Sequence, residues 1–449
     1  MLYKPNKLQL EDRLIGYNKE NALWYARIRC FDYIHHYKLS NYSGLLATTY
    51  TNIVSEKFKD KNWISDNELN NLIDKVDYNL DNICQKIVKE HNIDYPRPTL
   101  FCLVGIPGSG KSHLAQEIKC NCESSDLNRE TIIVSSDTIR EEYNLNSKNQ
   151  KDNSKTFEIY YNIIKQSLKE GKNVICDALN INIKDRQYLF NAVKNIDCEK
   201  QCYIKIKSIS QCIIDDSYRS SKVGVSVIQS QIRKFQIPFY NEGWDNIVLS
   251  YRKDDVKSVL NNKFDDNGCV NTYFQQMLSA EQNNPHHNET VGNHSLTALK
   301  LWNNNYSDKY NIDYDIAVKY HDVGKLFTQI TDENDISHFY NHEKFGTYLM
   351  LENINFFTQL IRQNHPILIS VPSQKEAENI FLKQLFLVNY HMMPFAWEKQ
   401  PRRYDKDFKL FGKDNIELLK DFNECDRFRE KELDKTLIEN KVEDEILEL

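Results

Sequence analysis

The chain has 449 residues, room for about three domains of roughly 150 residues each. Hydrophobic residues make up 40% of it, which allows sizeable cores and argues against global disorder. The formal charge of -6 excludes a strongly basic chain and gives no overall electrostatic case for nucleic acid, although a local basic groove on an acidic protein is compatible with it.

The 11 cysteines are odd in number and lack paired spacing, and Cys102 and Cys176 lie inside apolar runs. That usage reads as reduced, buried thiols in a cytoplasmic protein. The start has no apolar core of a signal peptide, and no run is long enough to span a membrane, so no membrane partner is expected.

Residues 1–96 are aromatic and mixed in charge, and read as a mixed α/β or helical segment. Leu69, Leu72, Ile73, Val76, Leu80, Ile83 and Ile87 recur at helical spacing and predict a packed helix over 66–91. Tyr95-Pro96-Arg97-Pro98 ends it and marks a boundary. Over 97–255 short apolar runs alternate with helical ones, with strands expected at 100–104, 131–134, 173–176, 203–206 and 247–249. Such alternation implies a parallel sheet covered on both faces. Residues 256–279, with the polar run at 263–268, read as a linker. Residues 280–435 show mostly helical patterning without strand alternation, and 436–449 form a charged tail.

Gly105-Ile106-Pro107-Gly108-Ser109-Gly110-Lys111-Ser112 fits GxxxxGK[ST] in full, after an apolar strand and before a helical run. Glycines there let backbone N–H groups turn onto phosphate oxygens at a helix N-terminus. Gly105, Pro107, Gly108, Ser109 and Gly110 make the cradle for ATP; Lys111 is placed for the β and γ phosphates, and Ser112 for Mg2+ through its hydroxyl. Ser135-Ser136-Asp137 ends the second strand, with Arg140 one turn on. Asp137 either accepts the proton of an attacking hydroxyl or caps a helix. Arg140 either orients Asp137, binds an acceptor phosphate or is simply solvated. Asp177 ends the third strand, at the edge where ligand crevices open, and either supports Mg2+ or caps the next helix. Residues 215–234 read as a helical segment carrying Arg219, Lys222, Arg233 and Lys234, either a lid over the transferring phosphoryl group or a solvated basic face.

GxPGSGKS, then SSDxxR, then DAxN with Arg186 downstream, then an Arg-bearing helix ending in Phe235 to Pro238, resembles the polynucleotide kinase branch of P-loop kinases. Zeta-toxin-like sugar-nucleotide kinases share much of the pattern. The resemblance covers about residues 100–251. It implies an α/β P-loop kinase domain in which Asp137 is the general base for a 5′-hydroxyl, Arg140 touches the substrate phosphate and Arg219 contacts the ATP phosphates.

Downstream, the adjacent pair His321-Asp322 is expected on a helix, where it can place borderline and hard ligands on one metal. His294 is expected on a helix over 291–301 and Asp426 on one over 418–429. The four converge if these helices pack as a bundle. His342 and His391 would complete a second position, and two ions together activate water and hold a phosphate in line. A lone histidine is usually structural or solvated; the ordered set is what points to metal.

His287-Asn288-Glu289-Thr290-Val291 leading to His294, then His321-Asp322-Val323-Gly324-Lys325, then Phe339-Tyr340-Asn341-His342-Glu343 with Gly346, resembles the HD phosphohydrolase superfamily, in particular the HD domain appended to bacterial tRNA nucleotidyltransferases. That resemblance, over about residues 284–430, implies an all-α HD domain that opens 2′,3′-cyclic phosphates. It implies His294, His321, Asp322 and Asp426 as first-metal ligands, His342 and His391 as candidates for the second, and a divalent transition metal such as Mn2+, Ni2+ or Co2+. Lys325 would steady the substrate phosphate. Asp421 is a weaker competitor for the role of Asp426, and His286, His287, His338 and His365 are spectators.

A 5′-hydroxyl kinase beside a cyclic phosphodiesterase is the pair of activities that heals both RNA ends left by many ribonucleases. The implied partners are RNA ends and a separately encoded RNA ligase. Tyr25-Ala26-Arg27-Ile28-Arg29, then Tyr33 and His35 or His36, loosely resembles the last nucleotidyl-transfer motif of phage-type RNA ligases, with arginines in place of its two lysines. No KxDG-like lysine accompanies it, so ligase activity in this chain is not expected. A small-molecule kinase with an HD nucleotidase, and a nucleotide-sensing module without turnover, are the alternative readings.

Overall fold

The structure is a computed structural model that describes residues 9–10, 13–14, 17–37, 39–91, 97–124, 129–146, 149–219, 221–257, 273–283, 289–364 and 372–427. The polar run at 263–268, the tail over 436–449, and His286, His287 and His365 lie outside the described residues. The chain divides into two compact units, Met1–Arg97 and Pro98–Leu449.

In the first unit, β1 (Gln9–Leu10) pairs antiparallel with β2 (Arg13–Leu14), and three helices follow: α1 (Lys19–His36), α2 (Ser43–Lys57) and α3 (Asp66–His91). Leu69, Leu72, Val76, Leu80, Cys84 and Ile87 form the buried stripe of α3, as the spacing predicts. Its start is set by a reciprocal bond: Ser65 N–H donates to Glu68 Oε2 (3.1 Å) and Glu68 N–H to Ser65 Oγ (3.4 Å). The ligase-like residues lie on α1, where Ala26 is buried and Arg29 Nε forks onto the Asp77 carboxylate of α3 (2.9 and 3.1 Å). Arg29 thereby ties two helices together.

The second unit opens with a five-stranded parallel sheet of order β4-β5-β3-β6-β7, formed by β3 (Thr99–Val104), β4 (Thr131–Ser135), β5 (Asn173–Asp177), β6 (Glu199–Lys205) and β7 (Asn246–Ser250). Every residue of β3 is buried, which explains its unbroken apolar run. Phe101 and Leu103 pack with Leu114, Ala115 and Ile118 of α4 (Lys111–Glu123). Leu100, Cys102 and Val104 face the other way, toward Tyr160, Ile164 and Leu168 of α6 (Gln150–Lys169). Helices α5 (Ser136–Glu142), α7 (Ile183–Val193), α8 (Ile209–Ser217) and α9 (Val225–Ile232) complete the connections. Strand β6 begins at Glu199, earlier than expected, because its polar first residues pair in register with Thr99 through Phe101. Backbone pairing extends where no apolar run advertises it.

The rest of the unit is almost wholly helical: α10 (Tyr273–Ser279), α11 (Val291–Asn305), α12 (Asp315–Tyr320), α13 (Lys325–Thr328), α14 (His342–Glu352), α15 (Ile354–Asn364), α16 (Gln374–Tyr390), α17 (Met393–Lys399), α18 (Pro401–Phe411) and α19 (Lys413–Asp426). Helix α10 falls inside the stretch read as linker and packs on α11. A hairpin of β8 (Gln329–Thr331) and β9 (Ser337–Phe339) interrupts the helices, against the expectation of no strands. Each strand has three residues, too few for alternation to show, and Asp332 Oδ1 closes the turn by accepting from Asn334 N–H (2.8 Å) and Ile336 N–H (3.1 Å).

One apolar core runs from the α6 side of the sheet into the helices. Polar ties cross at the same places. Tyr348 OH donates to Lys207 O (3.0 Å), Ile209 N–H to Glu352 Oε2 (2.8 Å) and Tyr390 OH to Ile237 O (2.8 Å). Among the described residues no helix is long and apolar enough to cross a membrane.

Candidate functional site

The loop 105–112 sits at the C-terminal end of β3, where the connections after neighbouring strands β3 and β6 run to opposite edges of the sheet. Gly108 has φ +80°, and a Cβ there would lie 2.3 Å from Cys212 O, so the loop is pressed against α8 where only glycine fits. Lys111 opens α4, and its ammonium donates to Gly105 O (2.9 Å) and Ile106 O (3.1 Å), curled over the cradle. Ser112, next on α4, is exposed. Ser109 Oγ is buried without a hydrogen-bond partner, a donor left free inside the loop. Burial lowers the Lys111 pKa; Asp177 and Asp137 act on it in the opposite sense, and Arg219 adds to the lowering. Asp137, Asp177 and Arg219 therefore share the electrostatic surroundings of Lys111.

Asp137, in the first turn of α5, keeps 73% of its side chain exposed and pairs with Arg140 Nη1 at 2.8 Å. It is not the cap, because Ser135 Oγ accepts from Thr138 N–H. Arg140 is fixed from behind by Asn153 Oδ1 (3.1 Å) and by its position over the Phe157 ring. A presented carboxylate and a braced guanidinium thus stand together beside the cradle.

The stretch 215–234 is not one helix. It breaks between α8 and α9 because the buried carboxylate of Asp216 accepts from Val223 N–H (3.2 Å) and Gly224 N–H (2.9 Å), folding the chain back. Arg219 lies on that loop with 44% of its side chain exposed, 4.0 Å from Asp216. Arg186 is wholly buried and forks onto Glu242, Nε to Oε2 and Nη2 to Oε1, both 2.6 Å, while Nη1 donates to Asn180 O and Gln236 O. It braces the loop after β5.

Sequence reasoning missed Lys205 and Lys207. A Cβ at Gly110 would lie 3.7 Å from Lys205 Cε and 3.8 Å from Lys207 Nζ, so both flank the cradle. Lys207 pairs with Asp215 (2.7 Å) and Asp255 (3.4 Å), Lys205 with Asp255 (3.2 Å). No motif surrounds either lysine; only their position at the C-terminal end of a strand hinted at them.

The second constellation lies among the helices. The HD pair is in a turn after α12 rather than on a helix, with Lys325 N–H donating to Asp322 O (2.9 Å). A Cβ on Gly324 would meet His342 O at 2.0 Å, which is why this turn can press against α14. His294 comes from α11, His342 from the start of α14, His391 from the residue after α16, and Asp426 from the end of α19. His294 Nε2 and His321 Nε2 lie 3.0 and 3.1 Å from Asp426 Oδ1, and His321 Nε2 lies 3.3 Å from Asp322 Oδ2. On the other side of Asp322, Oδ1 lies 3.1 Å from His342 Nε2 and 3.9 Å from His391 Nε2. All six predicted ligands therefore meet. Asp421 does not; it binds Lys309 and Tyr310. Among the predicted spectators, His338 pairs with Asp332 on the hairpin.

This set fits divalent metal. Each Nδ1 faces an oxygen acceptor: Glu289 Oε1 for His294 (3.1 Å), Val318 O for His321 (2.8 Å), Phe339 O for His342 (2.8 Å) and Val388 O for His391 (2.7 Å). With Nδ1 protonated against that acceptor, each ring in its neutral form turns a lone pair inward at Nε2. His342 Nε2 and His391 Nε2 are 3.2 Å apart, close to the separation of about 3.0–3.4 Å for two nitrogens each ~2.1 Å from one ion. His321 Nε2 and Asp322 Oδ1 are buried without a hydrogen-bond partner. Such lone pairs and carboxylates repel unless a cation lies among them. Without an ion the carboxylates draw a proton instead: burial would lower His321, yet Asp322 and Asp426 push it up to about 10, while burial and the neighbouring His321 and His342 hold His391 down at about 4. Lys325 Nζ contacts Asp322 Oδ2 (2.7 Å) and Gln282 Oε1 (2.9 Å), beside the cluster.

The sheet order, the loop at the end of its middle strand and the carboxylate–arginine pair beside it define a P-loop kinase-like α/β domain, joined to a helical part that carries the histidine–aspartate cluster. Residues 99–299 match the family described as chromatin associated protein KTI12. No curated protein sequence matches the chain. Among solved structures, the chain is similar to one in the Pnkp1/Rnl/Hen1 complex (22% identity, TM-score 0.24, covering 27% of this chain and 40% of that one). It is similar to Chaetomium thermophilum Kti12 in complex with ADP-AlF3 (20% identity, TM-score 0.29, covering 35% and 90%). It is also similar to the Mycobacterium tuberculosis APS kinase CysC in complex with AMPPNP and APS (15% identity, TM-score 0.29, covering 36% and 92%). The chain thus spans less than half the length of the Pnkp1/Rnl/Hen1 chain that it matches.

Proposed function

We propose that the chain heals RNA ends, as an ATP-dependent 5′-hydroxyl polynucleotide kinase joined to an HD-type 2′,3′-cyclic phosphodiesterase or phosphatase. The observation that carries this reading is the convergence of all six predicted ligands in the same compact unit as the phosphate loop with its Asp137–Arg140 pair. In the first reaction the exposed Asp137 carboxylate accepts the proton of the 5′-hydroxyl as its oxygen bonds to the γ-phosphorus and the bond to ADP breaks. Arg140 orients Asp137, Lys111 follows the charge moving onto the β-phosphate side, and Arg219 closes from its loop. Ser112 and Asp177 would hold Mg2+, which supplies charge neutralisation on the phosphates.

In the second reaction His294, His321, Asp322 and Asp426 would hold one divalent transition metal, and Asp322, His342 and His391 a second. Bound there, the ions supply an activated water and a clamp for the phosphate. The Nδ1 acceptors keep each imidazole turned inward, and Lys325 reaches the substrate phosphate from beside Asp322. The partners of this reading are RNA fragments and a separately encoded ligase that seals them.

The test is transfer of label from ATP onto cleaved RNA, with end-group analysis of both fragments. Lys111→Ala is expected to abolish labelling and spare ring opening; Asp322→Ala is expected to do the reverse. Loss of neither activity on mutation, or absence of both from the wild type, sinks the proposal. Labelling of free nucleosides but not oligomers would reassign the first site to a small-molecule kinase. The KTI12 match, whose description names an association and no reaction, favours a second reading as a nucleotide-dependent module. Saturable ATP binding without transfer to any hydroxyl would decide for it.

A further inference from the structure

A cavity of about 680 Å3 opens in the helical part, lined by residues of α11, α12 and α16 and the turn before α12. Its size is that of a small-molecule site. None of the cluster ligands lines it. One ring separates the two: Trp302 lines the cavity and contacts Phe422 (centroids 6.4 Å apart), and Phe422 contacts His321 (5.1 Å). The walls supply apolar area through Trp302, Tyr314 and Ile316, all buried.

The polar groups of the lining include two carboxylates and a buried amide oxygen. Gln384, 1% exposed, spends its Nε2 on Asp313 O (2.7 Å), and that bond fixes which end of the amide is left. Its Oε1 is buried without a partner at the cavity wall. A buried amide oxygen left unpaired is costly and asks for a donor. Asp313 and Asp315 stand beside it, tied by Asp315 N–H to Asp313 Oδ1 (2.8 Å), and Asp315 Oδ2 accepts from Asn303 Nδ2 over a long 3.4 Å. Burial and the neighbouring Asp313 hold the Asp315 carboxyl up at about 6, the mark of a negative charge that lacks a counter-charge. Two carboxylates against the single ammonium of Lys383 leave the lining net negative, which disfavours a phosphate-bearing ligand.

We propose that this cavity binds a small organic cation with two or more N–H donors, an amine or guanidinium on a short aliphatic body, its donors on Gln384 Oε1 and the Asp313–Asp315 carboxylates and its body against Tyr314 and Ile316. The inference is independent of the RNA-end reading. Because α12 runs from Asp315 to Tyr320 and delivers His321 and Asp322 next, a ligand held at Asp315 sits one short helix from the cluster.

The experiment is calorimetric titration of the full chain with agmatine, which carries a guanidinium and an amine on a four-carbon body. Saturable binding is expected, weakened at least tenfold by Gln384→Leu and by Asp315→Asn. Thermal midpoints and Mn2+ uptake at the cluster check that the variants are folded; Gln384→Leu removes an unsatisfied oxygen together with the bond to Asp313 O, two changes that offset each other in stability. No saturable agmatine binding at millimolar concentration overturns the proposal, as does equal affinity in the wild type and Gln384→Leu. Saturable binding of adenosine in place of agmatine overturns it in favour of a neutral base, and an Mn2+ equivalent lost only in Asp315→Asn overturns it in favour of an inorganic cation.

Discussion

Asp322 turns its two oxygens to different neighbours, Oδ2 to His321 and Lys325 and Oδ1 to His342 and His391. Loss of its charge should therefore affect both halves of the cluster. Asp322→Asn is expected to weaken Mn2+ binding by at least about a hundredfold at both positions, going beyond the 10–100-fold typical of outer partners. His391→Gln is expected to weaken one position and leave the other, and Mn2+ stoichiometry by titration distinguishes the two outcomes. At Gly108 the steric demand is as specific: Gly108→Ala puts a methyl 2.3 Å from a backbone oxygen at φ +80° and is expected to cost about 1–3 kcal/mol in denaturant unfolding, with loss of ATP binding. Asp315 gives a pH signature. Its folded pKa of about 6 lies above the ordinary 3.8, so the folded state binds the extra proton and this carboxyl's contribution to stability falls as pH rises from about 4 to 6. Asp315→Asn should match the wild type in thermal midpoint at pH 3.5 and exceed it at pH 7; a gap that does not change with pH would contradict this. Most of these residues were legible in the sequence because their chemistry travels in motifs: the glycine loop, the His-Asp pair and SSDxxR each keep fixed spacing. Lys207 and Gln384 were not, because an isolated lysine or glutamine acquires meaning only from the distant chain that packs on it.

The elements that were legible are those whose pattern is their own. Helix α3 has a stripe, β3 has an unbroken apolar run, and both formed where expected. The α8–α9 break was hidden because its cause is a carboxylate, Asp216, reaching amides seven and eight residues ahead. The start of β6 was hidden because its partner strand supplies the hydrogen bonds. The brace between α7 and the turn at Tyr240–Glu242 is of the same hidden kind, since Arg186 and Glu242 are 56 residues apart and have 0% and 1% side-chain exposure. A buried pair broken on one side leaves a bare charge. Arg186→Met is expected to cost about 3–5 kcal/mol in urea unfolding, and adding Glu242→Leu should recover most of that loss. If the double variant is as unstable as the single one, the bonds of Arg186 to Asn180 O and Gln236 O, rather than the charge pair, hold these elements together.

At the scale of the molecule, the phosphate loop and the histidine–aspartate cluster belong to one continuous core. Asn389, two residues before the ligand His391 and 2% exposed, accepts from Ile237 N–H (3.0 Å) and donates to Phe235 O (3.1 Å) and Thr347 Oγ1 (3.0 Å). The helices that carry His342 and His391 therefore hold the chain that leaves α9. If the sheet and helices open only together, whatever stabilises the cluster must stabilise the sheet by the same amount. Mn2+ at a hundredfold excess over its dissociation constant adds about 2.7 kcal/mol to the state that binds it. Slow hydrogen exchange of the β3 and β5 amides should then slow by that increment, roughly a hundredfold, although no residue of either strand is a ligand at the cluster. Asn389→Leu strips partners from Ile237 N–H and Phe235 O, each a loss of about 1–3 kcal/mol, and leaves the ligands in place. In that variant the helices should still gain protection from Mn2+ while the sheet gains less. Sheet amides that ignore Mn2+ in the wild type, while those of α11 and α19 respond, would mean that the shared core does not couple the two parts.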